Sequence, residues 1–169
     1  DAGAIRHWRP SRAPEGALRL RYRATIHNQL ATRGAAPPFV LRSESGAFSG
    51  AGLAFLLLPD TEQPHRLAVH WDLSALPPGA RGVSSAGVGD VVLEAPAPPA
   101  RLARSFYMAG RVGLQPADAT GRGFFGAWMG EPPFDARELL DWTGRLYAHY
   151  GSFFGDLPER EFKQRSLGS

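Results

Sequence analysis

The sequence predicts a mainly β fold, an antiparallel sheet or sandwich domain followed by one long C-terminal helix. Three observations predict it. Two segments alternate apolar and polar residues with period two, the period of a strand with one buried face. Twenty glycines and fifteen prolines in 169 residues require many turns, which favours short strands over long helices. A single segment near the end changes to helical periodicity.

The first alternating run, residues 18–26, sets Leu18, Leu20, Tyr22, Ala24 and Ile26 on one side and Arg19, Arg21, Arg23 and Thr25 on the other. It reads as a half-buried strand whose arginines form a solvated face that discourages edge pairing. The second, residues 67–73, points Leu67, Val69, Trp71 and Leu73 inward and His70 and Asp72 outward. Residues 39–41, 53–58, 90–94, 105–112 and 124–129 are further strand candidates, each bounded by Gly or Pro clusters. Segments 35–38, 59–64, 76–89 and 95–100 lack periodicity and hold most of the prolines, so they read as loops.

After Pro132 and Pro133 the pattern changes. Asp135 precedes Glu138 by three residues, a capping-box variant that opens a helix. Leu139, Leu140, Thr143, Leu146, Tyr147, Tyr150, Phe153 and Phe154 follow as a broad apolar stripe, and Gly155 is a C-terminal stop. A helix of about 19 residues is roughly 28 Å long. The organisation expected is a β-rich unit over 1–131 and a helix with its tail over 132–169.

Composition excludes several classes of chemistry. There is no cysteine, which removes disulfides, thiolate zinc sites and a Cys nucleophile. The net charge is +3, and the only lysine is Lys163, so the high isoelectric point reflects arginine and is not read as a nucleic-acid footprint. The single lysine also leaves no phosphate-binding P-loop. The longest apolar run, 53–58, is far short of a membrane helix, and neither a nucleic-acid nor a membrane partner is expected. The first residue is Asp1 and not Met, so either a leader has been removed or the sequence is a piece cut from a longer one, and both readings fit a fragment of an exported protein, periplasmic or secreted.

Candidate chemistry is sparse. His7, His27, His65, His70 and His149 never form H-E-x-x-H, and none repeats at the spacing that puts two imidazoles on one zinc. His70 and Asp72 share one strand face and could hold a metal or relay a proton, yet two ligands do not make a site. Gly82, Ser84 and Gly87 brush against the nucleophile-elbow pattern, but Ala86 stands where the second glycine belongs and no helix follows. Gly121, Gly123 and Gly126 spell G-x-G-x-x-G, but ahead of an aromatic strand rather than a helix, so no nucleotide site is read there. Asp72, Asp90 and Glu94 could pair as glycosidase acid and base only at a separation that sequence does not give. No catalytic, cofactor-binding or metal-ligating residue is therefore assigned, and the chain by itself is expected neither to bind zinc tightly nor to cleave peptides.

The ordered string His65, Arg66, Leu67, Ala68, Val69, His70, Trp71, Asp72, Leu73, Ser74, the glycine-rich turn to Asp90, and then Ser105, Phe106, Tyr107, Met108, Ala109, Gly110 resembles the N-terminal β domain of glycyl-aminopeptidase-like zinc metallopeptidases, the gluzincin aminopeptidases. In such proteins a helix leads the chain into the catalytic domain. Residues 134–156, with Tyr147 and the ending Phe153, Phe154, Gly155, Asp156, look like that helix. The resemblance covers about residues 40–157. It implies a non-catalytic domain that packs beside the peptidase cleft, with zinc, its ligands and the catalytic Glu in a part of the parent protein beyond Ser169. The partner implied is that catalytic domain, with self-association through the helix over 135–154 when it is absent. The alternative is a β-sandwich module that binds sugars or peptides by stacking on Trp71, Tyr107 or Trp128. A third reading is a purely structural interaction domain.

Overall fold

The computed structural model describes residues 7–12, 14–28, 39–121 and 123–154. Its architecture is mainly β, all antiparallel, with one long C-terminal helix. In chain order the elements are β1 (Arg42–Glu44), β2 (Ala47–Ala51), a single 3-10 turn (Gly52–Ala54), β3 (Ala68–Val69), β4 (Arg81–Ser84), β5 (Gly87–Val88), β6 (Val91–Val92), the short helix α1 (Ala100–Ala103), β7 (Phe106–Gly110), β8 (Val112–Gln115), β9 (Gly126–Met129) and α2 (Ala136–Phe154).

Five strands make the main sheet in the order β1-β2-β7-β4-β5; β3 pairs with β6, and β8 with β9. β7 is central, with Tyr107 opposite Gly50 on β2 and Ser84 on β4. Its segment was legible as a strand over 105–112, but Arg111 divides it: β7 ends at Gly110 and β8 begins at Val112. That break passes the chain from the main sheet to the β8–β9 hairpin, which carries α2.

The second alternating run keeps its burial pattern but little of its pairing. Leu67 is buried, Val69, Trp71 and Leu73 are half-buried, and Ala68, His70 and Asp72 are exposed. Only Ala68 and Val69 lie in a ladder, opposite Val92 and Val91. The backbone of Leu93 adds a bond to the Leu67 carbonyl, and Leu67, Leu93 and Ala97 form the core cluster, flanked by Ala86 and Leu102.

The first run departs from its expected strand. Residues 18–26 belong to no ladder, and both faces are exposed, with Leu18 at 64%, Leu20 at 51% and Tyr22 at 50%. Alternation supplies a strand's preference, but a strand also needs a neighbouring edge, and none is offered here among the described residues. Among the described residues, the segment and the two residues after it are tied down at three points. Leu57 N–H donates to the Tyr22 hydroxyl at 3.1 Å, His27 N–H to the Leu41 carbonyl at 2.8 Å, and Ser43 N–H to Asn28 Oδ1 at 2.9 Å.

Three further corrections concern strand boundaries. Residues 53–58 are the 3-10 turn and a loop, and the strand lies just before them, at β2. Residues 39–41 flank a ladder without entering it; Phe39 accepts a bond from Ala51 N–H, and β1 starts one residue later. Segment 76–89, expected to be loop, contains β4, an internal strand of the main sheet, and β5. The glycine at the heart of β4 hides the pattern: a β-carbon on Gly82 would overlap the Trp71 ring.

α2 spans the 19 residues Ala136–Phe154. Asp135 Oδ1 accepts the N–H groups of Arg137 at 2.9 Å and Glu138 at 3.1 Å, satisfying two of the four orphan donors that open a helix. The helix rests on the β8–β9 hairpin. Leu140 covers Gly126 so closely that no β-carbon fits there, Phe124 packs on Tyr147 at 5.5 Å between ring centroids, and Gln115 Nε2 donates to Asp141 Oδ1 at 2.6 Å. No large side chain is fully buried among the described residues, and four of the nine buried apolar residues are alanines. The core is thin, and several bulky side chains have no cover.

Candidate functional site

Three places merit attention as sites: an exposed His–Asp pair, a groove beside the β4–β5 hairpin, and the outer face of α2.

Both outward-facing residues of the second run have partners, but not each other. His70 Nδ1 lies 2.8 Å from Asp90 Oδ2, and Asp90 Oδ1 accepts the Trp71 backbone N–H at 2.9 Å. Asp72 closes a local turn instead, accepting Ser74 N–H at 3.1 Å and the Ser74 hydroxyl at 2.6 Å. The hydrogen bond from His70, then that from the Trp71 amide, holds the Asp90 carboxyl below the usual carboxylate range. The Ser74 hydroxyl and then its amide do the same for Asp72. Such carboxylates stay charged, whereas the acid of a glycosidase needs a carboxyl raised above its normal range.

The His70–Asp90 geometry, a carboxylate fixing one imidazole nitrogen, resembles the orienting half of a nucleophilic triad. The hydroxyls of the nearby hairpin are engaged elsewhere. Ser84 Oγ lies 3.4 Å from the Gly87 carbonyl, and Ser85 Oγ accepts Phe106 N–H at 2.9 Å. Ser84 to Gly87 is thus the tip of an antiparallel hairpin, β4 to β5, and not the strand-to-helix elbow that exposes a nucleophile. Among the described residues no three His, Asp or Glu side chains gather as a metal centre requires.

The groove, with a volume of about 330 Å³, is open to solvent between the main sheet and the helix-bearing hairpin. Ser85, Phe106, Met108, Phe124, Phe125 and Tyr147 form most of its wall. Gly123, Phe124 and Phe125 of the G-x-G-x-x-G run therefore have a place in it, as mostly aromatic lining ahead of β9. Sequence reasoning did not assemble this groove, because its walls come from segments some 60 residues apart; the paired Phe124 and Phe125 between glycines were the one local signal.

The aromatic residues considered for ligand stacking are occupied. Tyr107 is buried, its hydroxyl donates to the Leu102 carbonyl at 3.0 Å, and burial pushes its pKa up. Trp71 is half-buried against Gly82 and lies 6.2 Å from Tyr107 between ring centroids. Trp128 is half-buried over its cross-strand partner Gly113.

α2 presents two apolar rows. Ala136, Leu140, Thr143, Gly144, Tyr147 and Gly151 face the hairpin and are buried or half-buried. Leu139, Trp142, Tyr150 and Phe153, spaced by three, eight and three residues, run along a neighbouring face and stay exposed at 48%, 53%, 52% and 74%. Phe154 stacks on Tyr150 at 6.1 Å and is 70% exposed. The two rows adjoin, so the apolar stripe of α2 is wider than the part of it that the hairpin covers. Among the described residues no helix is long and apolar enough to cross a membrane.

Comparisons with protein families, with curated proteins and with solved structures return no match to this chain.

Proposed function

We propose that this chain is a non-catalytic β domain that packs, through the outer row of α2, against the catalytic domain of a zinc aminopeptidase-like metallopeptidase. The observation that carries the packing role is the row of Leu139, Trp142, Tyr150, Phe153 and Phe154, a set of large apolar side chains left in water by the chain's own fold. The thin core points the same way. Support for the identity of the neighbour comes from the sequence resemblance over residues 65–74 and 105–110 and from a helix that follows the β unit. In this reading zinc and the reacting groups belong to the neighbour, and the chain contributes a wall beside its cleft.

The coding sequence downstream of Ser169 tests the identity of the neighbour. An H-E-x-x-H motif within about a hundred residues is expected, since two histidines at that spacing and the Glu between them are the core of such a site. Its absence overturns the metallopeptidase reading. If the motif is present, co-expression of the two parts should yield a complex that Tyr150→Glu with Phe154→Glu disrupts.

A second reading, a binding module, has the groove beside Met108 and Phe124 in its favour. It would take an apolar side chain of a peptide, since the walls are mostly aromatic and aliphatic surface, with the hydroxyls of Ser84, Ser85 and Tyr147 as their polar side-chain groups. Saturation by short peptides ending in Phe or Leu, lost in Met108→Glu, would favour it over the packing role.

A further inference from the structure

Residues 18–26 combine two properties that conflict within the isolated chain. Their order is that of a half-buried strand, with β-favouring Leu, Tyr and Ile on alternate positions, yet they lie in no ladder and expose both faces. Arg19, Arg21 and Arg23 are exposed and make no hydrogen bond or ion pair among the described residues. The segment is nonetheless anchored, because Tyr22, His27 and Asn28 bond to backbone at residues 57, 41 and 43. The last two anchors lie beside β1, the edge strand of the main sheet. A strand-patterned segment therefore leads into residues that lie beside a sheet edge, while its own residues 18–26 enter no ladder among the described residues.

We propose that residues 18–26 are a docking strand, completed by a strand of a partner protein that sets carboxylates opposite Arg19, Arg21 and Arg23. Charge selects this occupant. A second copy of the chain is disfavoured in the registers that overlap the arginines: antiparallel pairing about Tyr22 puts Arg21 against Arg23, and parallel pairing in register puts each arginine against itself, whereas like charges directly opposite destabilise a sheet. A partner whose residues alternate acidic and apolar answers both faces at once, with Glu or Asp against the arginines and aliphatic side chains beside Leu18, Leu20 and Tyr22. Strand addition of this kind draws affinity from main-chain bonds and specificity from alternate side chains. The inference uses a different element from α2 and stands apart from the packing role proposed above.

The test uses the full 169-residue chain and two capped seven-residue peptides, one alternating valine with glutamate and the other valine with lysine. Calorimetric titration should show the glutamate peptide binding at least about tenfold more tightly, the preference that three cross-strand ion pairs supply. Hydrogen exchange should slow at the amides of residues 18–26 and leave the amides of β7 unchanged. The triple variant Arg19→Gln, Arg21→Gln, Arg23→Gln should retain the far-ultraviolet spectrum and lose the preference. Equal affinity for the two peptides, or no protection at 18–26, overturns the proposal. So does protection of the same amides by anionic phospholipid vesicles or a single-stranded oligonucleotide when the glutamate peptide gives none. The comparison of peptides on the unaltered chain needs no variant to fold.

Discussion

The Trp71 indole is fixed over the backbone of Gly82 by bonds made at Trp71 itself: Nε1–H donates to the Gly89 carbonyl at 3.0 Å, and its amide donates to Asp90 Oδ1 at 2.9 Å. Gly82 lies on β4, opposite Ala109 of the central strand, so the ring seals one face of the main sheet over a bare Cα. Gly82→Ala puts a methyl group into the ring. Displacing a packed aromatic in this way costs about 1 to 3 kcal/mol, and thermal unfolding followed by circular dichroism should show a Tm lower by roughly 3 to 10 °C. A variant as stable as the parent would show that the Trp71–Gly82 contact is dispensable.

That contact also marks where the sequence could and could not be read. The burial of Leu67, Val69, Trp71 and Leu73 follows from alternation alone, because one face of the segment meets the core. β4 was invisible for a complementary reason: where a neighbouring segment supplies the bulky group, the strand beneath supplies glycine, and glycine reads as turn. The same exchange puts Leu140 over Gly126. Residues 18–26 fail in the opposite direction, since the alternation is present and the partner edge is not. α2 was legible over its described length because its cap and its 3.6-residue repeat are local, and the expected stop at Gly155 lies outside the described residues. Among candidate site residues, His70 was placed on the right face, but its partner Asp90 is 20 positions away and reaches it only through the turn that joins β5 to β6.

The His70–Asp90 pair predicts a pH dependence. The folded-state pKa of Asp90 is below its ordinary 3.8, so its contribution to stability is fully present above about pH 4 and is lost as pH falls through the lower folded value. Asp90→Asn should therefore lower the Tm at pH 6, and the gap between variant and parent should narrow as pH falls below 4. Both partners are exposed, so the gap is small. A gap that widens on acidification would assign the wrong sign to the interaction.

At the start of α2, Asp135→Ala removes the acceptor for two helix amides and should cost about 1 kcal/mol, a typical value for a lost N-cap. Asp135→Ser, which keeps a capping oxygen, should recover most of it. Urea unfolding monitored at 222 nm gives the comparison. Equal losses in both variants would mean that the carboxylate charge at the helix N-terminus, and not the hydrogen bonds, provides the stabilisation.

The outer row of α2 sets the behaviour of the chain when nothing covers it. Leu139, Trp142, Tyr150, Phe153 and Phe154 extend along a helix of about 28 Å and present an apolar surface that monomeric proteins seldom leave in water. Two such rows laid antiparallel bury each other, and a twofold arrangement closes after one pairing, so the expected product is a dimer. Burying two aromatic side chains is worth roughly 3 to 6 kcal/mol. Association costs of similar or larger size must be met, so self-association at micromolar concentrations requires the row to act together. Sedimentation velocity should show a concentration-dependent dimer for the parent chain and a monomer for Tyr150→Glu with Phe154→Glu. Both substituted residues are exposed, so the variant should keep the parent's helix signal, and its circular dichroism checks that it does. A parent chain that remains monomeric at every concentration, with Trp142 and Tyr150 as quenchable by acrylamide as in the unfolded chain, would show that the row is tolerated in water and would remove the physical ground for the packing role.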